Sequence, residues 1–268
     1  VVIPGSEPLC YGSRCERFDG KATDRPGERA VIPDLFAERE RMLAEAVARP
    51  AGEGSGRRIG LPRALLNHEL LPLWESFFRA LGLRVVVSNP TDPAIIAAGL
   101  SGVTAETCYP MKLAHGHVQN LLDQGIDALF IPTLINLERE ADGWAESFNC
   151  PYVQVLSSII ASAIDLKGKG VELISPVIAF GWRGDLPEKS LLRVGKVLGK
   201  GRAATKRAAR IALRAREDFR RRQLARGREV LSSLPADGKA VVIVSRPYNS
   251  YDPALNVGLP RTLRKLGI

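Results

Sequence analysis

A doubly wound, mainly parallel α/β sheet is the fold that the sequence predicts for residues 57–186. Two observations carry the prediction. Short apolar runs, "RRIGLPR", "LRVVVSN" and "IDALFIPTL", recur along this stretch. Between them lie amphipathic segments at helical spacing, closed by Gly82 and Gly125. Apolar strands separated by amphipathic helices imply a mainly parallel sheet with helices on both faces. The lobe is therefore Rossmann-like.

The elements follow in order. Residues 1–56 form an irregular Gly- and Pro-rich arm, a helix and a linker. In the helix, "PDLFAERERMLAEAV", Leu35, Phe36, Met42, Leu43 and Val47 share a face, and Pro33 suits a helix start. "AGEGSG" is linker. Within the lobe, "RRIGLPR" is a strand, "PLWESFFRALG" a helix, "LRVVVSN" a strand and "DPAIIAAG" a short helix. "YPMKLAHGHVQNLLDQG" is a longer helix and "IDALFIPTL" a buried strand. "PYVQVLSS" reads as a further strand and "IIASAI" as a short helix. Residues 187–235 read as one long basic connector helix, weakened early by Gly195, Gly199 and Gly201. "KAVVIVSRPY" reads as a buried strand and "NVGLPRTLRKLG" as a helix.

A 185-residue shift pairs Pro62 with Pro247, Leu70 with Leu255, Arg79 with Arg264, Leu81 with Leu266 and Gly82 with Gly267. Strand then meets strand and helix meets helix. Residues 239–268 are accordingly expected to begin a second, similar lobe that is truncated here. The tetrapeptide GLPR at 60–63 and 258–261 is a decoy, because its copies fall in different elements. The chain reads as a segment of a longer polypeptide.

The composition narrows the function classes. The net charge is +9, but residues 187–235 alone hold fifteen Lys/Arg against four Asp/Glu. The basicity thus belongs to one helix. That helix has a single aromatic, Phe219, so it offers no stacking platform for nucleic acid. A solvated or partner-docking face is the expectation, without nucleic acid. No apolar run approaches the roughly 18 residues that a membrane span needs. No secretory pattern opens the chain, so a reducing cytoplasm is expected. No Walker A loop and no GxGxxG opens a βα unit, which leaves nucleotide binding by this segment without support.

The chemistry is concentrated in "ETCYPMKLAHGHV", residues 106–118, which holds one of four cysteines and two of three histidines. Pro110 places Cys108 at or beside a helix N-cap, where free N–H groups and the helix dipole favour negative charge and thiolate chemistry. Lys112 adds a cation one turn on. A small buried thiol is the plain alternative. His115 and His117, two apart, diverge by about 200° on a helix and cannot jointly chelate one ion as an i,i+4 pair does. Packing hydrogen bonds are their favoured role. About 10 Å of helix rise separates Cys108 from His115, too far for a nucleophile and its base. Gly116 between them implies close approach of a backbone or ligand. Pro151 forces Cys150 into an extended backbone. Cys15 lies in "GSRCERF", flanked by Arg14 and Arg17. None of the four cysteines forms a CxxC pair.

"GSRCERFDGK", "IGLPRALLNHELLPLWESFFRALGLRVVVS", "ETCYPMKLAHGHV", "FNCPYV" and "VVIVSRPYNSYDPALNVGLP" together resemble the uncharacterised domain of the CoA-substrate-specific enzyme activase-related proteins. These are relatives of the 2-hydroxyacyl-CoA dehydratase and benzoyl-CoA reductase activator system. The resemblance implies Rossmann-like lobes that hold an iron–sulfur cluster, a [4Fe–4S] type being expected, on Cys15, Cys108 and Cys150. Arg14, Lys112, His115 and His117 would lie around the cofactor. It also implies an ATPase activase module in cis or trans, acyl-CoA dehydratase-like subunits as partners, and ATP-driven electron transfer. Cys10 has no counterpart in the family. The alternative is a non-catalytic scaffold or acyl-CoA-binding domain with structural cysteines. If "PYVQVLSS" is a strand, Cys150 sits at its start, on the opposite rim of a parallel sheet from the usual cofactor crevice.

Overall fold

The computed structural model describes residues 33–47, 56–138, 147–180, 187–235 and 240–265. A four-stranded parallel sheet forms the centre, in the order β2-β1-β3-β5, with β1 Arg58–Leu61, β2 Arg84–Val87, β3 Ala128–Phe130 and β5 Glu172–Ile174. β1 pairs with β2 from Arg58↔Arg84 to Leu61↔Val87 and with β3 at Ile59↔Ala128. The chain moves from β1 to one side and then crosses to the other. This places a topological switch point at the carboxyl ends of the strands, the usual site of ligands in such sheets.

"IDALFIPTL" is one run in the sequence but two strands in the structure. β4 (Thr133–Asn136) follows β3 after Pro132, and β6 (Val177–Ala179) follows β5 after Pro176. The register is unchanged across the break, Ala128↔Glu172 before it and Thr133↔Val177 after it. The Ile131 N–H donates to the Ile174 carbonyl at 3.1 Å and the Thr133 N–H to the Pro176 carbonyl at 3.0 Å. The two prolines lie in the interruption between the sheets, where neither has an N–H to contribute.

Helix α1 spans Leu35–Val47 and α2 spans Asn67–Ala80. α2 is buried on nearly every side, and its polar Asn67, His68, Glu75 and Ser76 are buried with the apolar residues. One side meets the sheet, where the Trp74 and Phe130 rings stand 5.0 Å apart and Phe78 and Phe130 4.8 Å apart. The other meets α7 (Arg202–Ser232). Pro72 lies inside α2 and cannot donate to the carbonyl four residues back, that of His68. The buried Arg39 of α1 supplies the missing donor through its guanidinium, which also lies over the Tyr251 ring at 3.5 Å. One side chain thus repairs α2 and ties it to the C-terminal segment.

On the other face, α3 (Pro93–Ser101) crosses α4 (Tyr109–Asp123) at Gly99 and Gly116. A Cβ on Gly116 would stand 2.9 Å from the Ile95 carbonyl carbon and closer still to its oxygen. The mid-helix glycine therefore serves a backbone-to-backbone approach.

Three sequence expectations need correction. "PYVQVLSS" is not a strand: Pro151–Ala163 is helix α5, with Val153, Leu156, Ser157 and Ile160 buried at helical spacing. Its valines suggested a strand, but Pro151 at the first turn and the 3.6-residue burial period fix a helix. The single basic helix divides into α6 (Pro187–Val197) and α7, separated by a turn in which Gly199 has φ 65° and Gly201 caps α7. "KAVVIVSRPY" forms no strand over residues 240–246, and Val242 and Val244 are 83% and 91% exposed. A run apolar on both faces needs strands on both sides, and no described residues supply them. α8 (Pro247–Tyr251) and α9 (Leu259–Lys265) complete the described chain.

α7 is not a free-standing connector. Arg222 pairs with Glu45 and Arg226 with Glu38, both acids lying on α1, and Arg216 pairs with Glu138. Among the described residues no helix is long and apolar enough to cross a membrane.

Candidate functional site

Two cysteines open two helices in the same way. Cys108 caps α4 with φ −65° and ψ 151°, and its carbonyl accepts from the N–H groups of Met111 at 3.0 Å and Lys112 at 3.2 Å. Cys150 caps α5 with φ −52° and ψ 135°, and its carbonyl accepts from Val153 at 2.9 Å and Gln154 at 3.2 Å. A proline in the first turn of each helix, Pro110 or Pro151, fixes the entry of the chain. Neither side chain caps its own helix. Both thiols are free, Cys108 exposed and Cys150 half-buried. Because α5 is a helix, Cys150 is no longer on the opposite rim. α4 and α5 are both crossover helices of the parallel sheet, so both begin on the side of the strands' carboxyl ends.

A third helix begins in the same manner. Arg246 caps α8, with Pro247 in its first turn, and Tyr248 follows, 4% exposed. Burial raises the Tyr248 phenol above its usual range. The Arg246 guanidinium, hydrogen-bonded to it, pulls the other way, while negative charge on Cys150 and on Cys108 raises it further. The two thiols, far apart in sequence, thus act on one phenol. Sequence reasoning missed Arg246 and Tyr248. Their signal was present in "SRPY", a proline-anchored helix start like "CYP" and "NCPY".

The remaining motif residues point elsewhere. Lys112 pairs with Glu106 at 2.6 Å. His115 is buried, its Nδ1 2.8 Å from the Met111 carbonyl. His117 is fully buried, with Nδ1 2.9 Å from Ser88 Oγ and Nε2 3.0 Å from Thr91 Oγ1. Neither histidine joins the thiols, and His117 has no ring nitrogen left for a ligand. Arg14, Cys15 and Cys10 lie outside the described residues.

His117 belongs instead to a hydrogen-bond chain with a fixed polarity. Thr91 Oγ1 donates to Asp252 Oδ2, because an ionised carboxylate only accepts. Thr91 therefore accepts from the His117 Nε2–H, which leaves Nδ1 as an acceptor for the Ser88 hydroxyl. Ser88 in turn accepts the Arg63 N–H at 2.7 Å. Burial lowers the His117 pKa to about 4, so the ring is neutral near pH 7 and its Nδ1 serves as an acceptor here. At the far end, His68 Nε2 stands 3.6 Å from Asp252 Oδ2, too long for an ordinary hydrogen bond but near enough for electrostatic contact. Burial would raise the Asp252 carboxyl, but the contacts from His68 and Thr91 outweigh it and hold it below its usual range. Sequence reasoning also missed Asp252 and His68.

Chemically, the thiol pair offers two soft donors at helix starts whose N–H groups are oriented toward negative charge. Among the described residues, no group of three or more His, Cys, Asp or Glu is placed to hold a metal ion. A cluster would need a further ligand from the rest of the chain or from a partner. Comparison with known families gives a match over residues 58–268, to the family described as the CoA enzyme activase uncharacterised domain. No curated protein sequence and no solved structure matches the chain significantly.

Proposed function

The chain belongs to the CoA enzyme activase uncharacterised domain family, and on that premise we propose that it is an iron–sulfur-binding electron-transfer component of an ATP-driven acyl-CoA dehydratase- or reductase-like system. The observation that carries the reading is the pair of free thiols on the N-caps of α4 and α5, both on the side of the strands' carboxyl ends. Thiolates are the usual ligands of iron–sulfur clusters, and the donor set fits that far. Cys108 and Cys150 would hold the cluster, with Cys15 as the third ligand. When bound, the cluster supplies one-electron chemistry.

The chain's own residues shape the surroundings of that site. Arg246 and the N–H groups of the helix starts offset the negative charge of thiolates. The buried Tyr248 excludes water from one side and presents a hydroxyl. Lys112, paired with Glu106, lies one turn beyond Cys108. The ATPase activase module, in cis or in trans, is the proposed source of electrons, and acyl-CoA dehydratase-like subunits are the proposed recipients.

The second reading is a scaffold or acyl-CoA-binding domain with structural cysteines. Its support is that His117 spends both ring nitrogens on hydrogen bonds within the lobe and that only two thiols fall among the described residues. Iron and acid-labile sulfide analysis after anaerobic reconstitution separates the two. The cluster reading requires both elements in the wild-type protein, with Cys108→Ser and Cys150→Ser each depleting them and Cys10→Ser leaving them unchanged. A wild-type protein that retains neither element supports the scaffold.

A further inference from the structure

The segment that carries Arg246 and Tyr248 is held to the lobe by few elements. α8 has only five residues, and residues 240–246 before it are exposed except for the half-buried Ile243 and pair with no strand among the described residues. Yet Asp252, directly after α8, is 1% exposed. A carboxylate buried this deeply is costly unless every lone pair is met. Here Oδ2 accepts from Thr91 and faces His68, while Oδ1 accepts the Ala254 N–H at 2.8 Å. The Asp252 N–H also donates to the Tyr248 carbonyl at 3.1 Å, which joins the carboxylate rigidly to the tyrosine.

The groups facing Asp252 come from every packed element. Arg63 comes from just after β1, His68 from α2, Thr91 from the turn after β2 and His117 from α4, while Arg39 of α1 acts on the neighbouring His68 and Asp92 on His117. The two arginines have other partners as well, Arg63 pairing with Glu40 and Arg39 donating to the His68 carbonyl. The carboxylate therefore ends a built receptor on the first lobe. The receptor is set at the carboxyl end of β2 by Ser88 and Thr91 and supported from α4 by His117.

We propose that Asp252 is a positioning residue. By closing the chain Arg63–Ser88–His117–Thr91 and facing His68, it docks residues 246–252 on the lobe and fixes the buried Tyr248 at the start of α8. The relevance to electron transfer rests on the cluster reading above; the docking itself does not. The receptor lies on the same helix as Cys108, nine positions further on at His117, so one rigid element registers both the thiol and the latch. Asp252 sets the docked position of the segment.

The test uses the full chain without metal. Hydrogen exchange by mass spectrometry is followed in wild type, Asp252→Ala, Thr91→Val, and Val242→Ala as an exposed control. Asp252→Ala and Thr91→Val should each speed exchange at residues 248–256 by about tenfold or more, while β1, β3 and α4 keep their protection. Val242→Ala should match wild type. Alkylation of Cys150, half-buried in the wild type, should accelerate in the same two variants at unchanged global stability. A purely structural carboxylate remote from the thiols would not produce that change. Asp252→Asn keeps an acceptor for Thr91 and should restore much of the protection. Unchanged exchange at 248–256, or a uniform rise over the whole lobe, overturns the proposal. So does Cys150 alkylation that does not respond when the segment loosens. Should Asp252→Ala fail to fold, Thr91→Val, nearly isosteric, carries the test alone. Because these readouts need no iron, a wild-type protein that binds no cluster defeats the cluster reading and leaves this result standing on its own.

Discussion

Lowering the pH from 7.5 to 5 should destabilise the protein through His117. Its imidazole has a folded-state pKa of about 4 against 6.5 as the ordinary value. Between these values the unfolded chain binds a proton that the folded chain refuses, so stability is lost as the pH falls through that window. A gap of that size amounts to about 3 kcal/mol when fully developed, of which about 2 kcal/mol appears between pH 7.5 and pH 5. His68, also lowered by burial, acts in the same direction. Asp252 has its carboxyl lowered below 3.8 and contributes only at more acidic pH, so it does not confuse the window. The physical cause is burial of the imidazole, which disfavours its charged form. Urea denaturation at a series of pH values gives the curve. His117→Gln should be less stable at pH 7.5 but lose about 2 kcal/mol less than wild type on going to pH 5. Parallel curves for the two proteins would refute the assignment of a neutral, desolvated His117.

Other perturbations test the packing around the site. Arg39→Ala removes the donor that meets the His68 carbonyl and the cation over Tyr251, and should cost about 2–4 kcal/mol in urea denaturation. Adding Pro72→Ala to that variant should recover about 1 kcal/mol, because residue 72 then has an N–H for the same carbonyl. Additive losses from the two changes would contradict the repair role of Arg39. Gly116→Ala should cost about 2–4 kcal/mol in thermal or urea unfolding, since the new methyl meets the Ile95 backbone. The helix-propensity gain of about 1 kcal/mol is too small to compensate; a stabilised variant would show that α3 can move away from α4.

The parts of the fold that were legible in the sequence are those where local period and burial agree. α4 was bounded by Pro110 and Gly125, and β1 and β2 by apolar runs next to a turn. α5 was misread because Val153, Val155 and the apolar residues after them satisfy a strand's composition. Their burial period became visible only once the helix was in place. The run at 240–246 was misread for the opposite reason: its composition is that of a buried strand, but a strand is defined by neighbours that a local pattern cannot supply. Cys108 at a helix start was legible from Pro110 alone. Cys150 was noticed for the rigidity that Pro151 imposes, but assigned to the wrong element. Asp252 was invisible because its partner is remote: Thr91 lies 161 residues away in sequence. Nothing local distinguishes an aspartate that will be buried by such a partner from one that will cap a turn.

The most direct measurement is the electron paramagnetic resonance spectrum of the anaerobically reconstituted, chemically reduced protein. The account predicts a cluster signal in the wild type that disappears in the Cys108→Ser/Cys150→Ser double variant, while hydrogen exchange shows the lobe still folded. A wild-type protein without any such signal, or a double variant that keeps it, would contradict the claim that these two helix starts hold iron.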